Sequence, residues 1–197
     1  MKVFHVEIKG LQPMLMHAMG PAVESTTTSR KPKLTPEQAA EKAAYRDKEG
    51  YLVVPALNIM GCLIVAARPV KLPRGTGYRA SDVIKGSVRV EPQYPRLLGL
   101  KGKPMKNYVV DGKEERCPYV VDSQWVRNPS TGGKMVCHRP RIDEWCLKFD
   151  LKWNDLIYNV HPDVITDTMK RAAYVGLCDY RPMYGIFEVV KMEAEDL

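Results

Sequence analysis

Nine arginines fall between positions 68 and 141: Arg68, Arg74, Arg79, Arg89, Arg96, Arg116, Arg127, Arg139 and Arg141. Arginine offers a planar fork of donors that grips phosphate in bidentate fashion and stacks on bases, whereas lysine mainly supplies charge. Residues 68–141 hold 16 basic and 6 acidic groups, net +10, against +2 for residues 1–67 and −5 for residues 142–197. Clustered cations of this kind attract polyanions by raising their local concentration and releasing counterions. Four groups are candidates for that contact. Arg68, Lys71, Arg74 and Arg79 lie at a helix end and in a loop with glycines, where backbone N–H groups and cations can meet a phosphate. Arg127, Lys134, Arg139 and Arg141 lie on or near an expected hairpin, Arg30, Lys31 and Lys33 in a polar stretch that can fold over a ligand, and Tyr180 stands beside Arg181. Tyr180 can stack a base while Arg181 pairs a phosphate; the competing reading packs Tyr180 under the final strand.

Other chemistry is thinly represented. His17, just after the first strand, is the one candidate for catalysis, as a general base toward a ribose 2′-hydroxyl, and it has no visible partner. His5 and His161 read as structural. No GxSxG, Walker, GxGxxG or HExxH pattern occurs. The five cysteines are widely spread without a CxxC pair, which suits reduced thiols. Cys137, His138 and Cys146 approach a zinc set but lack a second close pair, so neither metal nor cofactor is expected. No apolar run reaches the length of a membrane span, and the alternating N-terminus lacks a signal core; a cytoplasmic protein is expected.

The elements that must position these residues follow from periodicity. Residues 2–9 alternate, with Phe4, Val6 and Ile8 on one side. Thr35-Pro36-Glu37-Gln38 opens a helix with a capping box, expected to run to about Lys48. Tyr51 to Val54 is a brief strand, 58–68 a nearly uncharged and hence buried helix, 69–83 a loop, and 84–91 a strand with Val88 and Val90 inward. Residues 118–126 and 134–141 form a β-hairpin about Asn128–Gly133. Residues 145–153 alternate with Trp145, Leu147, Phe149, Leu151 and Trp153 on a core face; 163–175 is a helix closed by Gly176, 184–192 the last strand, and 193–197 a frayed acidic tail. With insertions at about 10–56 and 92–144 set aside, the order is strand, helix, strand, strand, helix, strand. That predicts one α+β domain over 1–197, ferredoxin-like or RRM-like: a four-stranded antiparallel sheet with two helices and two large insertions. The open face of such sheets commonly binds single strands.

Two segments carry a resemblance. Tyr51-Leu52-Val53-Val54-Pro55-Ala56-Leu57-Asn58-Ile59-Met60-Gly61-Cys62-Leu63 resembles the strand–proline–helix signature of the repeat-associated mysterious protein (RAMP) superfamily. Residues 175–187, VGLCDYRPMYGIF, resemble the loop before its last strand, though only Gly176 and Gly185 remain of a usually glycine-rich stretch, and Ile64 stands where a cation often follows the helix glycine. The whole chain looks like the backbone subunits of CRISPR effector complexes, or a phage or mobile-element relative of them. The resemblance implies non-catalytic binding of RNA or single-stranded DNA by a self-associating, filament-forming subunit in antiviral defence. The alternatives are a metal-independent endoribonuclease using His17 and a protein-binding inhibitor or assembly factor.

Overall fold

The computed structural model describes residues 1–18, 34–74, 76–110, 113–116, 118–127 and 132–196, with side chains described outside 108–110 and 113–116. Along the chain it holds β1 (Lys2–Gly10), β2 (Met14–Leu15), α1 (Pro36–Ala43), α2 (Ala56–Ala67), α3 (Ala80–Ser87), β3 (Val88–Glu91), β4 (Leu97–Leu98), β5 (Tyr108–Val110), β6 (Lys113–Arg116), β7 (Val120–Arg127), β8 (Lys134–Ile142), β9 (Cys146–Trp153), α4 (Asp163–Val175) and β10 (Phe187–Asp196). The main sheet runs β10-β1-β9-β3, antiparallel throughout, with β4 also on β9. This is the ferredoxin-like strand order, with α2 and α4 as its two helices, as the sequence predicts.

Alternation decides what each face of the sheet meets. Phe4, Val6 and Ile8 of β1, with Leu147, Phe149, Leu151 and Trp153 of β9, are buried under α2 and α4. α2 presents Ile59, Cys62, Leu63 and Ala66 inward, and α4 answers with Ile165, Met169, Ala172 and Ala173; the alanines let the two helices approach closely. Burial pushes the Cys62 thiol up to about 12, which marks it as inert core. The outer face holds charge in cross-strand pairs: His5 with Asp150 (2.8 Å) and Glu195 (3.2 Å), Lys148 with Glu7 (2.9 Å), Lys152 with Glu91 (2.5 Å) and Lys9 with Glu188 (3.8 Å).

Three expectations need correction. Residues 80–87 form α3 where a strand was expected from 84. Ala80, Val83, Ile84 and Ser87 are buried at helical spacing, and the Asp82 carboxylate accepts the Arg79 N–H (3.0 Å) at the helix start. α1 has the Thr35–Gln38 capping box but stops at Ala43, because Arg46 and Leu52 form a bridge that turns the chain back. The acidic tail is ordered strand: β10 continues to Asp196, paired along Lys2–His5 and tied by Lys2 to Asp196 (2.6 Å). His5, expected to be structural, is exposed on the open face within its acidic pairs, and His161 is exposed against Asp163 (3.0 Å).

The insertions build a second layer. β2 pairs with β8 and β8 with β7, a three-stranded sheet; Met16 donates to Pro140 O (3.0 Å) and Ala18 to Ala43 O (2.7 Å), seating α1 beside it. Trp145 joins the layers: its ring lies against Gly10, where a Cβ would come within 2.3 Å of Nε1, and Nε1–H donates to Gln12 O (2.9 Å). No helix among the described residues is long and apolar enough to cross a membrane.

Candidate nucleic-acid interface

The connection from α4 to β10 is held almost entirely by backbone. Leu177 N–H donates to Gly185 O (3.0 Å), Gly185 N–H to Pro13 O (2.8 Å) and Asp179 N–H to Leu15 O (2.9 Å). Gly176 and Gly185 have φ of +81° and +74°, and a Cβ on Gly185 would lie 2.1 Å from Leu177 O. Only glycine fits such an approach, so two glycines suffice to close the loop. Cys178 and Tyr180 also adopt positive φ, 63° and 52°, which aims the intervening Asp179 back toward β2 and β8.

There Asp179, Arg139 and His17 meet. Arg139 Nε–H donates to His17 Nδ1 (2.8 Å) and lies 3.1 Å from Asp179 Oδ2, while His17 Nδ1 is 3.4 Å from the same oxygen. The Arg139 guanidinium stands 4.7 Å over the Tyr180 ring, and Tyr45 Oη donates to His17 O (2.9 Å). Burial raises the Tyr45 phenol above its ordinary range. Arg139 is only 6% exposed, and its Nη1 is buried with no hydrogen-bond partner among the described residues. An unmade bond of that kind costs about 1–3 kcal/mol. The cluster borders an open pocket of about 480 Å³.

The other sequence candidates fall elsewhere. Arg68, Lys71, Arg74 and Arg79 are all exposed and lie past the C-terminal end of α2, whose opposite end touches the loop through Asn58 Nδ2 and Cys178 Sγ (3.8 Å). Ten residues of helix at 1.5 Å each separate the two ends by about 15 Å. The basic loop is stiffened by Tyr78, stacked edge-on against Tyr158 (4.8 Å) and donating to Asn159 O (3.3 Å). On the hairpin, Arg127 and Lys134 are directly opposed near the tip, beside the Trp125–Val136 pair. An open concavity of about 800 Å³ borders Trp125, Arg127 and Lys134.

Two arginines of the expected set are already matched by carboxylates: Arg139 as above, and Arg141 by Asp143 (2.7 Å) and Asp122 (3.5 Å), which raise its pKa through the hydrogen bond to Asp143. Among the described residues no carboxylate lies within ion-pair distance of Arg68, Lys71, Arg74, Arg79, Arg127, Lys134 or Arg181. Arg30, Lys31 and Lys33 lie outside the described residues. The candidates therefore form separate groups, and among the described residues no side-chain hydrogen bond or ion pair joins the basic loop to the Arg139–Tyr180 cluster. Tyr180 is exposed under Arg139, not packed beneath the last strand, because its positive φ turns it outward. His17 has the partners that sequence did not reveal.

Trp125 escaped the sequence reading and is 73% exposed. Alternation along the hairpin held the signal, since it places Trp125 on the same face as Arg127 and Lys134. The place of Asp179 depends on a backbone turn that no spacing rule reports. Cys137, His138 and Cys146 do not gather, and the described residues contain no group of three His, Cys, Asp or Glu side chains able to hold a metal ion. His138 instead shares a 2.7 Å hydrogen bond with Ser123.

No known protein family and no curated protein matches the sequence. The structure is similar to a chain in the cryo-electron microscopy structure of the Type III-B Cmr-beta complex bound to cognate target RNA, with a TM-score of 0.56 and 15% sequence identity. The match covers 98% of this chain but 60% of that one, so this chain spans well under two thirds of its neighbour's length. The likeness is one of fold: this chain shares the architecture of that chain, in agreement with the ferredoxin-like arrangement read from the sequence.

Proposed function

We propose that this chain binds single-stranded nucleic acid, RNA foremost, without cleaving it, as a self-associating cytoplasmic subunit. The observation that carries the reading is Trp125, exposed on the hairpin face that it shares with Arg127 and Lys134, two cations that no carboxylate among the described residues neutralises. An aromatic platform flanked by positive charge is how sequence-tolerant single-strand binders hold a base and its phosphates. The uncompensated cations of the Arg68–Arg79 loop add a second phosphate-gripping group. A neighbour of the same fold sits in an assembly bound to target RNA, which supports the choice of RNA. Self-association would set β10, the outer strand of the sheet, with Glu188, Glu193, Glu195 and Asp196, against the basic loop of another copy, in exchange for the pairs these exposed carboxylates make with Lys9, Lys191, His5 and Lys2.

The non-catalytic reading rests on His17. With Nδ1 accepting from Arg139, the imidazole proton sits on Nε2, which makes that nitrogen a donor and unfit to take a proton from a ribose hydroxyl. The 3.4 Å approach to Asp179 favours the opposite, ribonucleolytic reading, in which the carboxylate orients the ring. One set of measurements separates these. Fluorescence anisotropy with labelled RNA and DNA oligonucleotides at low salt should show binding that weakens steeply with salt. Replacing Arg68, Lys71, Arg74 and Arg79 by alanine should flatten the log–log salt slope by up to about 3 units, at roughly 0.7 per phosphate contact on a single strand. RNA cut in EDTA by the parent but not by His17→Ala would favour the nuclease. A protein with no oligonucleotide affinity at low salt would leave a protein partner.

A further inference from the structure

Phosphate-gripping loops gather cations and N–H groups, and a carboxylate among them repels the backbone it is meant to hold. Asp179 is such a carboxylate, a third exposed at the mouth of the pocket bordered by His17, Asn58, Arg139 and Tyr180. Its oxygens are held in a fixed direction: Oδ1 accepts the Tyr180 N–H (3.0 Å), and Oδ2 lies against Arg139 Nε (3.1 Å). A carboxylate has about four lone-pair sites, so two remain. The donor beside it follows from the same contacts: with Nδ1 accepting from Arg139, a neutral His17 ring carries its proton on Nε2. The pocket thus places spare acceptors next to a donor beside an exposed aromatic ring, within about 480 Å³, a size that suits a small planar ligand.

Unstacked bases are read by hydrogen bonds to their pairing edge together with stacking. Guanine alone among the four bases offers two adjacent donors, N1–H and the 2-amino group, beside the acceptor O6. We propose that this pocket reads guanine in the bound strand: Asp179 accepts from N1–H and the 2-amino group, His17 Nε2–H donates to O6, and Tyr180 flanks the base. The inference rests on the nucleic-acid reading above and adds base selectivity to it.

The test uses the full chain and four labelled RNA heptamers: all-uridine, and the same with a central guanosine, inosine or adenosine. Guanosine should bind roughly tenfold tighter than uridine or adenosine, toward the low end of what a bidentate base contact is worth. Inosine, which lacks the 2-amino group, should fall between. Asp179→Asn should erase the guanosine advantage, read as the ratio of guanosine to all-uridine affinity. Equal affinity of the parent for all four heptamers overturns guanine reading while single-strand binding stands, and this arm needs no variant that might disturb the loop. An Asp179→Asn protein that loses affinity for every heptamer alike, keeping the guanosine preference, overturns the role of Asp179. Failure of the parent to bind any heptamer at low salt sinks the nucleic-acid reading, and guanine reading with it.

Discussion

Substituting Gly185 by alanine tests whether the loop carrying Asp179 and Tyr180 is fixed by backbone contact. At φ +74° an alanine incurs the left-handed penalty of about 1–2 kcal/mol. Its Cβ would sit 2.1 Å from Leu177 O and 2.6 Å from Leu177 N, both backbone atoms that no rotamer change can move. Relief of that overlap stretches two hydrogen bonds, Leu177 to Gly185 O (3.0 Å) and Gly185 to Pro13 O (2.8 Å), worth about 1 kcal/mol each. The sum is about 3–4 kcal/mol. For a chain of this size each kcal/mol moves Tm by about 2–4 °C, so Gly185→Ala should melt roughly 6–15 °C lower. Gly61, inside α2 with nothing within 4 Å of its would-be Cβ, is the matched control. There alanine should stabilise by about 0.5–1 kcal/mol through helix propensity. Thermal unfolding followed by circular dichroism reads both. A Gly185→Ala protein melting within a degree of the parent would refute the claim that this approach sets the loop.

Two further outcomes are expected. Trp125→Ala should weaken oligonucleotide binding by about 1–3 kcal/mol, the worth of one stacked base, with Tm nearly unchanged because the ring is exposed; an unchanged Kd in the same anisotropy titration would remove it from the interface. His5, hydrogen-bonded to Asp150 and then Glu195, should titrate by NMR above the ordinary histidine value of 6.5. Because the folded pKa is raised, the stabilisation is full below 6.5 and fades as pH rises through the folded midpoint; Asp150→Asn should bring that midpoint down, and a midpoint at or below 6.5 in the parent would contradict the pairing.

The sheet was legible because burial on one face forces alternation. Phe4-Val6-Ile8 and Leu147-Phe149-Leu151-Trp153 announce their strands, and the nearly uncharged run of α2 announces a buried helix. Boundaries failed where two periods overlap: Val83, Ile84, Val88 and Val90 satisfy a strand reading, yet the Asp82 box and Ser87, whose hydroxyl donates to Val83 O (2.6 Å), settle residues 80–87 as helix. The site was legible as composition and not as geometry. A count of arginines cannot tell Arg139, nearly buried against Asp179, from Arg74, exposed and unmatched, because the difference lies in which distant carboxylate the fold delivers. The pairing of His17 with Arg139 spans 122 positions and passes through β2, two residues long, which no periodicity argument detects.

That difference also decides where a strand can lie. RNA-binding sheets of this topology commonly stack bases on aromatic residues of the open face. Here that face carries His5, Glu7, Lys9, Arg89, Glu91, Lys148, Asp150 and Lys152, none of them Phe, Tyr or Trp, and apart from Arg89 their charges are largely spent on one another or on β10 across the strands. A phosphate arriving there must compete with carboxylates already in place, and a base finds no ring. Cations without a carboxylate partner among the described residues include Arg127 and Lys134 on the hairpin, the loop after α2 and Arg181, and two exposed aromatic rings, Trp125 and Tyr180, stand beside the first and the last of these groups. The fold supplies the scaffold and the inserted segments supply the grip, so the ligand is expected along the loops and not across the sheet.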